Sequence, residues 1–130
     1  MALEKILVVD DEQDIVHMLT MRLRAAGYQV LTAHDGKSAI NMAEWTTPDL
    51  LLLDIGMPNG DGHAVAKHLL ENKDTNRIPI VFLTARTSEK DRLSAYEAGI
   101  CRYLTKPFKA EELLCTVSRA LSCTRRSLSR

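Results

Sequence analysis

Four short runs in this chain each end abruptly on polar residues: Ile6-Leu7-Val8-Val9 on Asp10-Asp11, Leu50-Leu51-Leu52-Leu53 on Asp54, Ile80-Val81-Phe82-Leu83 on Thr84, and Tyr103-Leu104-Thr105 on Lys106-Pro107. Short, nearly continuous apolar runs closed by turn residues read as strands buried on both faces, which is the habit of a parallel sheet. Such a sheet needs a crossover after each strand, and the intervening sequence supplies it. Ile15, Met18, Leu19 and Leu23 recur at helical spacing and Gly27 follows as a helix stop. Residues 28–32 read as a further strand, and 38–45 as a helix with Ala39, Ile40, Met42 and Ala43 as its apolar surface. Helices follow at 63–70 and at 88–98, the latter ended by Gly99, and Leu113, Leu114, Val117 and Leu121 mark one face of a last helix. Five strand–helix units in succession specify a parallel α/β sheet with helices on both faces, because each right-handed crossover covers one side.

At 130 residues with 45% hydrophobic content, the chain fits one domain with a real core. Seventeen basic and seventeen acidic residues cancel, so no direct nucleic-acid partner and no anionic membrane is expected. No apolar stretch approaches the roughly 20 residues that cross a bilayer. The start, Met1-Ala2-Leu3-Glu4-Lys5, passes directly into a strand rather than a signal peptide, and the expected location is cytoplasmic. Cys101, Cys115 and Cys123 are odd in number and lack metal-ligand spacing, which suits reduced thiols without a catalytic role. Residues 122–130 are polar and basic without periodicity, and read as a frayed helix end, a tail or a linker stub after a domain at 1–121.

In open α/β sheets, ligands bind at the carboxyl ends of the strands. If the first and third strands are neighbours, Asp10, Asp11 and Asp54 converge there. Two unit charges about 4 Å apart repel by roughly 4 kcal/mol at an effective dielectric near 20. A raised pKa relieves that repulsion, and so does a hard divalent cation; an all-oxygen site that keeps several waters suits Mg²⁺. Thr84 adds a hydroxyl donor and Lys106 an ammonium, which is what a phosphate-sized anion needs. The set fits phosphoryl transfer onto a carboxylate, in which a protein mainly positions groups and neutralises charge.

The combination Val9-Asp10-Asp11-Glu12, Asp54-Ile55-Gly56-Met57-Pro58 with Asp61-Gly62, Leu83-Thr84-Ala85 and Tyr103-Leu104-Thr105-Lys106-Pro107-Phe108 resembles the receiver domain of two-component response regulators, over about residues 5–121. The resemblance implies a single doubly wound, flavodoxin-like sheet of order 2-1-3-4-5 with five helices on its faces. It implies that Asp54 accepts a phosphoryl group from a histidine kinase or histidine phosphotransfer protein. It also implies that Asp11, Asp54 and the Gly56 carbonyl ligate Mg²⁺, with Asp10 acting largely through water. Thr84 and Lys106 would bind the phosphoryl oxygens, and Thr84 and Tyr103 would form the conformational switch. A cis Lys106-Pro107 bond that helps aim the lysine belongs to the same likeness. So does a face made by the fourth helix, last strand and last helix, through which an output domain or target protein docks and a homodimer forms on phosphorylation. Gly56 and Arg86 stand where the family tunes hydrolysis of the acyl phosphate. Gly99-Ile100-Cys101-Arg102 departs from the small and acidic residues usual before the switch tyrosine, and Arg102 changes the charge of the docking face.

Each residue alone has a structural explanation. Asp10, Asp11 and Glu12 suit a helix start, where acids meet the positive dipole end. Asp54 and Thr84 suit turns or helix initiation, Lys106-Pro107 a turn, and Tyr103, Met57 and Phe108 packing. Their joint fall on one sheet edge favours chemistry. His17, His34, His63 and His68 show no partner pattern and read as surface, and Trp45 as an amphipathic edge residue. The expected role is a switch rather than an enzyme acting on an external substrate. One rival is a Mg²⁺-dependent phosphohydrolase of the haloacid dehalogenase type, which wants a second acid where this chain has Gly56. Another is a pseudo-receiver that binds without being phosphorylated. A dinucleotide fold is weaker, because acids rather than a glycine-rich loop follow the first strand.

Overall fold

The computed structural model describes the backbone of residues 3–58, 61–85 and 102–128, and side chains for all of these except 61 and 123–128. Its elements are β1 (Lys5–Val9), α1 (Gln13–Ala25), β2 (Gln29–Ala33), α2 (Gly36–Thr46), β3 (Leu50–Asp54), α3 (Asp61–Glu71), β4 (Ile80–Thr84), β5 (Arg102–Thr105) and α4 (Ala110–Leu128). All neighbouring strands pair in parallel, in the order β2-β1-β3-β4-β5. The doubly wound sheet expected from the runs is therefore present. Among the described residues four helices cover it; the helix expected at 88–98 lies outside them, as do Arg86, Gly99 and Cys101. The backbone of α4 stays helical through Leu128, into the segment read as a frayed helix end, a tail or a linker stub.

The all-apolar strands work because alternate residues enter two separate cores. Leu7, Val9, Leu51, Leu53, Ile80 and Phe82 pack with Ala39 and Ala43 of α2 and Val65, Ala66 and Leu69 of α3. Ile6, Val8, Leu50, Leu52, Val81, Leu83 and Leu104 pack with Leu19 and Leu23 of α1 and Leu113 and Val117 of α4 on the other face. Each buried aliphatic side chain contributes about 1.5–3 kcal/mol of transfer free energy, so a polar residue inside any run is excluded. In β1, β3 and β4 polar residues are confined to the strand ends, and the site forms at their carboxyl ends.

Local chemistry sets the helix boundaries. Asp35 accepts from the Ser38 amide at 2.8 Å as the N-cap of α2, and that hydrogen bond holds its carboxyl below the ordinary range. At the other end of α2, Thr47 closes the helix in the left-handed region at φ 41°. Gly27 takes φ 96° after α1, a conformation natural to glycine. Glu112 reaches back to the Lys109 amide at 3.2 Å and closes the first turn of α4. The Lys106-Pro107 bond is cis, as the family resemblance implies.

Candidate functional site

The strand register builds the site. Val9 lies opposite Leu53, so the next residues along, Asp10 and Asp54, come side by side at the centre of the carboxyl edge. Asp54 pairs with Leu83 and Thr84 with Thr105, which brings Thr84 and Lys106 to the same edge; the Lys106 amide donates to the Thr84 carbonyl at 2.7 Å. Asp10 is wholly buried, and Asp54 and Thr84 are 4% and 2% exposed. Polar residues so deeply buried, in a sheet otherwise lined by aliphatic side chains, need specific partners.

Both aspartates divide their oxygens the same way. Oδ1 of Asp10 accepts from the Glu12 amide and Oδ1 of Asp54 from the Gly56 amide, each at 2.9 Å and each two residues on. The Oδ2 atoms turn toward Lys106, whose Nζ lies 2.8 Å from Asp10, 3.6 Å from Asp54 and 3.7 Å from Oε1 of Glu12. Burial is the main cause that raises the Asp54 pKa; the neighbouring Asp10 adds to it, against the Gly56 amide and Lys106. Burial pulls Lys106 down, but the hydrogen bond to Asp10 and the charges of Asp54, Asp10 and Glu12 outweigh it, so its net shift is upward. The ammonium stays charged and screens two crowded carboxylates.

Two glycines shape the loop after β3. A Cβ on Gly56 would stand 3.3 Å from Oδ1 of Asp54, crowding the carboxylate. A Cβ on Gly62 would lie 2.5 Å from the Asp54 carbonyl oxygen and 2.9 Å from Cα of Ile55, so only glycine lets α3 start this close to the end of β3. Met57, 4% exposed, packs into the core under the loop. Tyr103 lies opposite Phe82 in the register, half-buried, with ring centroids 6.4 Å apart and planes at 74°.

The structure thus brings together Asp10, Asp54, Thr84 and Lys106, with Gly56 holding Asp54. Among the described residues, Asp10, Glu12 and Asp54 each offer one carboxylate oxygen that lies within 4.8 Å of the other two. Glu12 was legible in the sequence only as part of an acidic helix start. Asp11 is exposed on the loop from β1 to α1 and stands outside that group. His17, His34 and His68 are exposed as expected, but His63 is half-buried, its ring edge-on to Phe82 at 5.5 Å, because α3 lies against the core face of β4.

A family model, the response regulator receiver domain, matches residues 6–118. The chain belongs to that family. This receiver domain is 43% identical over 118 residues to the alkaline phosphatase synthesis transcriptional regulatory protein PhoP of Bacillus subtilis, covering 91% of this chain and 48% of that protein. It is 41% identical over 117 residues to the phosphate regulon transcriptional regulatory protein PhoB of Escherichia coli, covering 90% and 51%. The chain spans about half the length of these curated relatives. Among solved structures, Vibrio cholerae chemotaxis protein CheY4 superposes with a TM-score of 0.87 at 34% identity, covering 92% of this chain and 99% of that one. The receiver domain of the sensor histidine kinase PA1611 of Pseudomonas aeruginosa, solved with magnesium in its active site cleft, gives a TM-score of 0.85 at 33% identity, covering 93% and 99%. Receiver domains are signalling switches; phosphorylation on aspartate and Mg²⁺ binding at an acidic pocket are typical of them, and they work with histidine kinases and output domains. No helix among the described residues is long and apolar enough to cross a membrane.

Proposed function

We propose that Asp54 is the phosphoacceptor of this receiver domain and that its chemistry is confined to its own carboxylate. In the transfer, an Asp54 oxygen forms the bond to phosphorus as the donor's histidine nitrogen–phosphorus bond breaks, and the electron pair stays with the departing imidazole. The observation that carries the reading is the buried Asp54 carboxylate, with Oδ1 held by the Gly56 amide and Oδ2 aimed toward Lys106. Pinning one oxygen leaves the other as the nucleophile in a defined direction, and such pre-orientation is a large part of catalysis. Lys106 is charged and aimed at the strand ends, where it neutralises negative charge on the transferred group. Thr84 would donate to a phosphoryl oxygen, and its movement would be coupled to the Tyr103 ring beside Phe82.

The donor set fits a hard divalent cation, since the clustered atoms are carboxylate oxygens beside an exposed loop. Asp11, Asp54 and the Gly56 carbonyl would hold Mg²⁺, with Asp10 acting through water. When bound, Mg²⁺ would supply positive charge opposite the phosphoryl oxygens. Phosphorylation then shifts a pre-existing conformational equilibrium that a partner reads. PhoP and PhoB are named as transcriptional regulators, and the partner read-out here would be an output domain or target protein on the face that the family likeness assigns to the fourth helix, last strand and last helix, of which β5 and α4 are among the described residues, or a second phosphorylated copy.

Intact mass after incubation with acetyl phosphate tests the proposal. The wild type gains one phosphoryl group only with Mg²⁺, and Asp54→Asn gains none. An equal adduct on Asp54→Asn would sink the assignment of the acceptor.

A further inference from the structure

Glu12 holds the N-cap position of α1, at φ −89° and ψ 111°, where a side chain ordinarily accepts from an amide of the first turn; it makes no such bond. Its carboxylate instead turns to the strand ends, with Oε1 3.7 Å from Lys106 Nζ and an oxygen within 4.8 Å of those of Asp10 and Asp54. With a side chain 63% exposed, Glu12 is held there by charge rather than by packing. Three carboxylates face one ammonium, and Asp11 is the next residue in the chain after Asp10, so negative charge is left over for a divalent cation to offset. The neighbouring Asp14, also exposed in the first turn of α1, is not in this group.

We propose that Glu12 is an affinity-determining residue of the cation site, a carboxylate arm added to Asp10, Asp11 and Asp54 that sets how tightly the domain holds Mg²⁺ before phosphoryl transfer. The inference rests on the receiver reading above. Glu12 contributes to the site in two separable ways. Its amide orients Asp10 through the bond to Oδ1, which survives any substitution at this position except proline. Its carboxylate adds the charge and oxygen that a substitution removes.

Calorimetric titration of Mg²⁺ into the unphosphorylated protein separates the outcomes, with no activity measurement involved. Glu12→Gln, which keeps size and backbone, is expected to bind Mg²⁺ about tenfold more weakly, the lower end for losing a partner that orients or supports metal ligands. Glu12→Asp should recover part of the loss. Asp14→Asn, which removes the same charge from outside the group, should stay within about twofold of wild type because exposed charges at longer range are screened. Glu12→Gln matching the wild type, or Asp14→Asn losing as much as Glu12→Gln, would overturn the proposal. A wild type that takes up no Mg²⁺ would instead sink the cation reading on which it rests. Thermal unfolding without Mg²⁺ checks that Glu12→Gln is folded, and the exposure of the side chain predicts that it is.

Discussion

At the scale of single residues, Asp54 carries a conflict between function and stability. Its folded pKa lies above the ordinary value of 3.8, chiefly through burial, so the native state keeps this proton longer than the unfolded chain does. Its contribution to stability is therefore largest at low pH and falls as pH climbs from 3.8 through the raised folded value. At pH 7 without Mg²⁺ the buried charge is a cost, and Asp54→Asn is expected to stabilise the fold by on the order of 1 kcal/mol in urea titration. Lys106 behaves oppositely: raised above 10.5, it contributes stability that is fully present below that pH and lost as pH rises through its folded pKa. Gly62 is constrained by backbone rather than side chains. Gly62→Ala forces a Cβ to 2.5 Å from the Asp54 carbonyl oxygen, and the displacement should destabilise the protein by about 2 kcal/mol, as overpacking does. Denaturant midpoints of the two proteins measure it directly.

At the scale of elements, the site depends on how helices meet strand ends. The loop from β1 to α1 is short, so the start of α1 delivers Glu12 beside Lys106, and α3 is drawn to the end of β3 by the missing side chain at position 62. The C-terminus of α2 is less well matched to its sequence. Thr47 is β-branched yet sits at φ 41°, and a left-handed residue of this kind costs about 1–2 kcal/mol relative to glycine. Thr47→Gly is expected to raise stability by about 1 kcal/mol, with part of the gain lost to the greater freedom of glycine in the unfolded chain. Equilibrium unfolding decides it, and an unchanged or lowered midpoint would show that Thr47 makes a compensating interaction. The position is at the amino edge of the sheet, where Lys5 Nζ donates to the Thr46 carbonyl, so phosphorylation should be unaffected.

At the scale of the whole molecule, two cores on opposite faces hold a central sheet whose carboxyl edge gathers the charge. A ligand that binds only this gathered arrangement stabilises the whole fold by mass action, by about 2.7 kcal/mol at a hundredfold excess over its dissociation constant. Mg²⁺ is therefore expected to raise the unfolding temperature in a concentration-dependent way. An absent shift at millimolar Mg²⁺ would argue against a cation site.

The parallel sheet, the four described helices and most of the strand-end residues were legible in the sequence because hydrophobic periodicity is a local property: a residue's neighbours in the chain decide whether it can be buried on one face or two. Asp10, Asp54, Thr84 and Lys106 stood out for the same reason, as polar interruptions where apolar runs stop. Other features depended on distance between residues far apart in sequence. Glu12 looks like an ordinary acidic helix start, and only the pairing of β1 with β3 and of β4 with β5 puts Lys106 across from it. His63 reads as a solvent-facing histidine until α3 packs against Phe82. Gly62 is one glycine in a glycine-rich loop until the helix approaches the backbone of β3. Sequence determined which residues must be buried and where chemistry is possible; tertiary structure decided which charges share a space, because Coulomb and steric terms act across distance and have no period to read.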